Sequence, residues 1–198
     1  MPKLKLNSKF NAVNSDSVTQ RFNFIQNPVL KSNVIHTFQY VVFLVILEGE
    51  FDLKSTAKHM IYKDMIIHSA SIVECLIHYK LQRMIDEGHL EDKNLGIDLT
   101  TYKNVKRVHK LSITEDIVTA RMVKSFKSIK DNLNFVDLNQ CAKRIGLFDS
   151  KFFKISEEIR MLRNKIHMYT LQSEDVTYDK SSMDDFFKKL QELLKVIE

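Results

Sequence analysis

Glycine, proline and cysteine are scarce in this chain, and their scarcity argues against several classes of protein. The 198 residues include 4 Gly and 2 Pro, the residues that punctuate the many turns of all-β folds. The 2 cysteines, Cys75 and Cys141, form no metal-type pairing. Both lie in apolar helical stretches, which suit buried thiols in a reducing compartment. We therefore expect a mostly helical protein.

The sequence also lacks a long hydrophobic run. Its N-terminus, "MPKLKLNSKFNAVNSDSV", has no apolar core of the kind found in signal peptides. The most hydrophobic run, Tyr40 to Leu47, is too short to cross a bilayer and ends in Glu48. We therefore predict a cytoplasmic protein with no membrane partner.

Apolar and charged residues are both abundant. Hydrophobic residues make up 44% of the chain, so it should fold rather than stay disordered. The formal charge is +5, from 30 Lys and Arg against 25 Asp and Glu, and the pI is about 9.1. This balance permits an acidic partner such as nucleic acid, and it is equally typical of a lysine-rich soluble protein.

Periodicity predicts a single all-α domain preceded by an arm. Residues 1–30 are polar and show no sustained period, so we expect an extended or poorly ordered arm. Residues 31–198 are predicted to form one α-helical domain, because no internal repeat or linker interrupts them. The apolar residues from Val34 to Leu47 predict a buried helix, although periodicity alone leaves a strand open.

The longest predicted helix runs from Ser55 to Gly88. Ser55 can cap its start and Gly88 suits its end. Its apolar residues follow helical spacing: Ile66, Ala70, Val73, Ile77 and Met84, with Ile67 and Leu81 beside them. Residues 89–112 are predicted to be a loop, and Thr114 to open another helix.

Three further helices complete the predicted bundle. The first runs from about Asp137 to Ile145 and stops at Gly146. The second is capped by Asp149 or Ser150 and continues to about Tyr169. The third begins at Ser182, with Asp185 completing a capping-box-like pair. The loop before them carries a basic patch that could steer RNA, or could be an ordinary solvated face: Lys103, Lys106, Arg107 and Lys110.

The segment "IRMLRNKIHMYT", residues 159–170, concentrates polar side chains on one helix face. At about 100° per residue, Asn164 lies at about +40°, His167 at about −20° and Arg163 at about −60° from Arg160. Histidine exchanges protons near neutral pH, and arginine binds phosphate through two donors. RNA supplies its own nucleophile in the 2′-hydroxyl, so a base and an anion clamp could cleave it without a metal. The alternative is an exposed polar face or an interface.

This segment resembles the signature of the HEPN superfamily (higher eukaryotes and prokaryotes nucleotide-binding). Its members typically carry Arg, four to six residues and then His, commonly with Asn, Asp or His directly after the Arg. Arg160 and His167 fit that spacing, whereas Arg163 with Asn164 fits the polar-residue rule at a shorter spacing. We favour Arg163, Asn164 and His167 as the core with Arg160 assisting, which leaves open which arginine is essential.

The resemblance covers about residues 55–198, because "HSASIVECLIHYKL" and "DVTYDKSSMDDFFKKLQELLKVI" are also similar to family helices. It implies an α-helical bundle with a long helix beside the motif helix, frequent homodimerisation, and metal-independent RNA cleavage in toxin or antiviral abortive-infection systems. His167 would be the acid/base and Arg163 the phosphate clamp, with Arg160 and Asn164 orienting. Some family members are instead non-catalytic modules that bind a partner protein, RNA or nucleotide.

Tyr169 follows His167 by two residues. In one toxin branch of the family, a tyrosine at this place is modified with adenylate by a partner nucleotidyltransferase. The resemblance therefore makes Tyr169 a candidate modification site, and an antitoxin or nucleotidyltransferase a candidate partner. The arginine spacing of that branch is not matched, and Tyr169 could simply cap the end of the bundle.

Glu74 lies among apolar neighbours on the long helix. A buried carboxylate is costly unless it is paired, and an arginine of the motif is the natural partner; alternatively, Glu74 reaches water at the edge of the apolar stripe. His78, four residues later, could form half a metal site with it or only a hydrogen bond. His59 and His68 are too far along the helix to share a metal with His78, so we expect neither a metal nor another cofactor.

Overall fold

The structure, a computed structural model, describes residues 16–91, 129, 133–165 and 178–198, together with the backbone of four short strands. The helices are α1 (Asp16–Arg21), α2 (Pro28–Glu50), α3 (Ser55–Asp86), α4 (Phe135–Arg144), α5 (Ser150–Lys165) and α6 (Lys180–Ile197). The strands are β1 (Asp98–Leu99), β2 (Val105–Arg107), β3 (Val118–Ala120) and β4 (Ser125–Phe126). The helices pack against one another, which confirms the prediction of an all-α bundle.

Helix α3 forms the centre of the bundle. It contacts α2, α4, α5 and α6, and its predicted apolar stripe faces the core. Five stripe residues are at most 1% exposed: Ile66, Ala70, Val73, Ile77 and Leu81. Ile67 and Met84 lie half-buried at the edges of the stripe. Because full burial of a large aliphatic side chain stabilises a fold by roughly 1.5–3 kcal/mol, this stripe anchors the helices around α3.

Side-chain caps fix where most of the helices begin. Oxygens of Asn27, Asn134, Asp149 and Asp179 accept hydrogen bonds from first-turn backbone N–H groups. The capping role of Asp149 is therefore confirmed. The last helix begins at Lys180 rather than at Ser182, because Asp179 is its cap and Ser182 completes the capping box. Likewise, Ser55 is not the cap of α3, since it is already the first helical residue.

Two glycines end helices as the sequence predicts. Gly88 follows α3 with a φ of 74°, and Gly146 follows α4 with a φ of 78°. Both values lie in the left-handed region, which glycine adopts without the steric cost that other residues meet. The turn at Gly146 reverses the chain between α4 and α5, so these two helices pack side by side.

The predicted N-terminal arm is wrong for residues 16–30. This stretch contains α1 and the start of α2, and Phe22 and Ile25 are buried at 1% and 2% exposure. Val18, Phe22 and Ile25 recur at helical spacing, a pattern too short to be recognised against a polar background. Helix α2 begins at Pro28, a residue that suits a first helical turn. Residues 1–15 lie outside the described part of the chain.

The region between α3 and α4 also differs from the prediction. The helix expected from Thr114 is wrong at Val118–Ala120, which is a strand paired antiparallel with β2. Strands β1 and β4 form a second antiparallel pair, so the predicted loop 89–112 contains two short strands. The β-branched side chains of Val118 and Thr119 favour extended backbone over helix.

Helix α2 settles the choice between helix and strand for the apolar N-terminal run. It has 23 residues, and Val34, Val41 and Leu44 are its buried residues. Among the described residues, α2 is the helix that by length and composition could cross a membrane. The run Tyr40 to Leu47 is therefore only part of a longer apolar helix, which begins at Pro28. A buried helix in the core of a water-soluble protein meets the same criterion. Helix α2 packs on α1 and α3, and 17% of its most apolar window is buried.

Candidate functional site

Residues 159–165 of the predicted motif lie on α5, whose apolar side is inserted among other helices. Ile155 and Ile159 are buried at 7% and 1% exposure, and α5 contacts α3, α4 and α6. Arg160, Arg163 and Asn164 occupy the last turns of this helix and are half-buried. These three side chains are therefore held partly between helices, rather than on a fully solvated surface.

Arg163 contacts the central helix through an ion pair. Its Nη2 lies 3.4 Å from Oε2 of Glu74 on α3, and the two side chains are 31% and 24% exposed. The predicted pairing of Glu74 with a motif arginine is present in the structure. This pair leaves part of the guanidinium accessible, and it removes the cost of a half-buried, uncompensated carboxylate on α3.

Arg160 makes a tighter contact on its own helix. Its Nη2 donates to Oε2 of Glu157 at 2.7 Å, and its Nε lies 3.1 Å from both carboxylate oxygens. The side chains of Arg160 and Glu157 are 17% and 23% exposed. A guanidinium held along one edge by a carboxylate has a defined orientation, so Arg160 is more firmly fixed than Arg163.

Glu157 receives a second donor from α4. Nδ2 of Asn139 donates to Oε1 of Glu157 at 2.6 Å, and Oγ of Ser156 donates to Oδ1 of Asn139 at 2.7 Å. Both Asn139 and Ser156 are 0% exposed. The contact between α4 and α5 therefore contains a buried polar chain that ends at the carboxylate holding Arg160.

The electrostatic state of Glu157 follows from these contacts. Burial alone would raise the pKa of its carboxyl group, but hydrogen bonds from Arg160 and Asn139 and the charge of Arg160 outweigh burial and lower that pKa. Glu157 is thus held ionised near neutral pH. The two arginines and their partners Glu157 and Glu74 carry formal charges that cancel, so an added anion must compete with carboxylates.

Several residues of the predicted site lie outside the described part of the chain. His167 and Tyr169 fall within residues 166–177, and Lys103 and Lys110 also lie outside. The backbone of Lys106 and Arg107 forms part of β2, whereas their side chains are not described. The structure therefore brings Arg163 to Glu74 and Arg160 to Glu157. It does not test the predicted position of the histidine.

One histidine of α3, His78, contacts the chain segment before α4. Nε2 of His78 lies 3.1 Å from the carbonyl oxygen of Ile129, which gives that ring a hydrogen-bond partner on the chain before α4. Within the ranges described, no group of three or more His, Cys, Asp or Glu side chains has an arrangement that could hold a metal ion.

Sequence reasoning missed the three residues that support Arg160. Glu157 precedes Arg160 by three residues, the spacing at which opposite charges meet on a helix. Asn139 shares the apolar side of α4 with Phe135, Leu138 and Ala142, so a polar residue in that pattern was the available signal. Ser156 interrupts the apolar side of α5 in the same way.

Comparison of the chain with protein-family models, with curated proteins and with solved structures found no match.

Proposed function

We propose that the chain is a metal-independent endoribonuclease of the toxin or antiviral-defence type, similar to HEPN ribonucleases. His167 would act as acid and base, and Arg163 would hold the phosphate, with Arg160 and Asn164 orienting. The observation that carries the proposal is the ion pair between Arg163 and Glu74. It joins the motif-bearing helix to the long helix that the resemblance expects beside it.

The difference between the two arginines supports a division of roles. Arg163 makes one contact at 3.4 Å and its side chain is 31% exposed, whereas Arg160 is hydrogen-bonded along one edge and 17% exposed. A phosphate can replace a single long contact with a smaller loss of hydrogen bonding than it would incur at a bidentate pair. Arg163 is therefore the better phosphate clamp. Arg160 is better suited to orient the same phosphate through the edge of its guanidinium that Glu157 leaves open.

The proposed reaction uses groups that the chain and the RNA supply. His167 takes the proton from a 2′-hydroxyl, and the oxygen attacks the adjacent phosphorus. The bond from phosphorus to the 5′-oxygen of the next nucleotide breaks, and that oxygen takes up a proton. The products are a 2′,3′-cyclic phosphate and a 5′-hydroxyl. Arginine stabilises the charge that develops on the phosphate oxygens, since it stays protonated throughout.

The experiment that tests this proposal is incubation of the protein with total RNA in EDTA. Wild type is expected to cleave, and His167→Ala is expected to be inactive with an unchanged helical spectrum. His89→Ala is the matched control, because its imidazole lies after α3, is 68% exposed and pairs with Glu87; it should cleave as wild type does. Equal cleavage by the His167→Ala protein would indicate a contaminant or another site.

One result of the same experiment would favour the second candidate function. RNA that is retained but not cleaved would indicate a non-catalytic module that binds RNA, nucleotide or a partner protein. The pairing of both motif arginines with carboxylates favours this candidate, because such pairs hold a surface in a defined shape without any chemistry.

A cytoplasmic location and an antitoxin or nucleotidyltransferase partner belong to the proposal as well. Reducing conditions suit the two cysteines, since neither Cys75 nor Cys141 forms a disulfide. Burial raises the pKa of Cys141 to about 11, so this cysteine stays a thiol and reacts poorly. Tyr169 would be the residue that a nucleotidyltransferase modifies.

A further inference from the structure

The contact between α4 and α5 contains polar groups where apolar side chains would pack more cheaply. Asn139 and Ser156 are both fully buried, and their hydrogen bonds are 2.6–2.7 Å long. Burying an amide and a hydroxyl costs free energy that hydrogen bonds only offset. Helix packing alone could use aliphatic residues at these positions. The buried hydrogen bonds between α4 and α5 must therefore have an effect other than packing.

The donor and acceptor in each of these hydrogen bonds are determined by the chemistry of the three side chains. An ionised carboxylate can only accept, so the Asn139 amide must turn its N–H toward Glu157 and its oxygen toward the Ser156 hydroxyl. Every bond therefore converges on Glu157, whose carboxylate then holds Nε and Nη2 of Arg160. Among the described residues, Nη1 of Arg160 has no hydrogen-bond partner.

We infer that Asn139 is a positioning residue, which acts through Glu157 to hold Arg160 with one edge of its guanidinium ready for an RNA phosphate. This inference rests on the proposed function. Glu157 alone could rotate about its side-chain bonds and carry Arg160 with it. The Asn139 N–H fixes Oε1 of Glu157 from a neighbouring helix, so the whole carboxylate presents a single geometry to the arginine.

The inference gives Asn139 a role that differs from general stabilisation. A residue that only stabilised the fold would affect all of α5 alike. A positioning residue instead changes the motion of one guanidinium and the affinity for an anion. NMR of the Nε–H group of Arg160 measures that motion directly, and the signal is assigned by its loss in Arg160→Lys.

The experiment follows this Nε–H signal while a short 2′-O-methyl oligouridylate, which cannot be cleaved, is added. In wild type we expect slow hydrogen exchange and a shift on binding. In the Asn139→Leu protein, the Arg160 Nε hydrogen should exchange faster, and its signal should shift less when the oligonucleotide binds. Asn139→Asp keeps the shape of the side chain but places a carboxylate against Glu157, so it should have the same effect on the Arg160 signal. It provides the test if the leucine variant fails to fold.

Two control variants separate positioning from stability. Ser156→Ala removes one buried bond but keeps the bond from Asn139 to Glu157, so the Arg160 signal should persist. Tyr62→Phe removes a partly buried bond to Glu48 on α2 and should leave Arg160 unchanged. An Arg160 signal that is unaltered in both Asn139 variants, or that does not respond to the oligonucleotide in wild type, would overturn the inference.

Cleavage provides a second readout. Asn139→Leu should lower kcat/KM by about tenfold, and it should lower kcat/KM no further in an Arg160→Lys background, because the two residues act as one unit. Equal losses in both backgrounds would assign Asn139 a purely structural role. If wild type binds the oligonucleotide through Arg160 but cleaves no RNA, the proposed ribonuclease function fails and the positioning role stands.

Discussion

Arg163 and Glu74 join the last turn of α5 to the middle of α3 through a contact of 3.4 Å. The pair sets two effects of Glu74 against each other. Its negative charge weakens the attraction of the site for phosphate, and its position gives the Arg163 guanidinium a fixed neighbour. Mutation of Glu74 separates these effects, because one concerns binding and the other concerns the geometry of the reacting complex.

We predict that Glu74→Gln lowers kcat by about tenfold while KM for RNA does not rise. Loss of the carboxylate removes one repulsive charge, so binding is maintained, but Arg163 loses its orienting partner and stabilises the transition state less well. Stability should fall by no more than about 1 kcal/mol, since both side chains are partly exposed. Steady-state kinetics and urea unfolding measure the two effects.

The matched control for Glu74→Gln is Glu48→Gln. Glu48 lies on α2, forms an ion pair of 2.9 Å with Lys58 and accepts a hydrogen bond from Tyr62. Its mutation therefore removes one charge and alters contacts that lie away from the motif. It should leave kcat unchanged. A kcat of Glu74→Gln that equals wild type would show that the pair has no part in the reaction.

Lysine substitutions at the two arginines should have unequal effects. Arg163→Lys is predicted to lower kcat/KM by about 100-fold, because lysine keeps the charge but cannot supply two donors in one plane. Arg160→Lys should lower it less, since Arg160 acts by orientation. The reverse order would mean that the register from Arg160 to His167 is the functional one. Full activity of both variants would show that the two arginines are surface residues with no part in the reaction.

The sequence predicted the pairing of Glu74 with an arginine because one principle applies to it directly. A carboxylate among apolar residues needs a partner, and the motif arginines were the cations in reach. The stripe around Ala70 and Val73 was predictable in the same way, since helical periodicity reports which face is buried. The pairing of Glu74 and the buried stripe were predictable because each depends on the pattern of one helix or on the chemistry of a single side chain.

Features that depend on two distant segments were not predictable. Asn139 and Ser156 meet because the turn at Gly146 fixes how α4 is aligned along α5. The residue pattern of either helix alone does not indicate that alignment. The burial of Phe22 likewise depends on helices elsewhere in the chain. The strand Val118–Ala120 follows from pairing with β2, which overrides a local pattern that favoured a helix start.

The hydrogen bonds to Glu157 predict a dependence of stability on pH. Since the folded-state pKa of its carboxyl group lies below the ordinary 4.5, the stabilisation is fully present above about pH 4.5 and is lost as pH falls through the folded-state pKa. Glu157→Gln lacks this titration. The difference in unfolding free energy between wild type and Glu157→Gln should therefore shrink below pH 4.5, measured by urea unfolding at a series of pH values.

Glu158→Gln is the control for that series. Glu158 adjoins Glu157 but pairs with Lys189 at the surface, and exposed pairs contribute roughly 0–1 kcal/mol. Its difference from wild type should be small throughout the series. A Glu157→Gln difference that stays constant from neutral pH to pH 3 would contradict the view that an ionised Glu157 holds Arg160.

We predict last that the functional form is a homodimer in which two motif helices face each other across one cleft. A single helix offers one histidine and two arginines on a convex surface, and a two-fold axis beside α5 would double this set in a concave site. Like charges repel in such a cleft, so apolar contact must hold the dimer. Met161 is 48% exposed between the two arginines and is the candidate for that contact.

Met161→Lys should therefore dissociate the dimer, as measured by sedimentation at micromolar concentration. Met60→Lys is the matched control, because Met60 is 53% exposed on α3 away from the motif; it should stay dimeric. Mixing His167→Ala with Arg163→Ala should restore part of the activity, since the mixed dimer carries one intact copy of each residue across the shared cleft. A wild-type monomer that cleaves RNA at full rate would contradict the composite site.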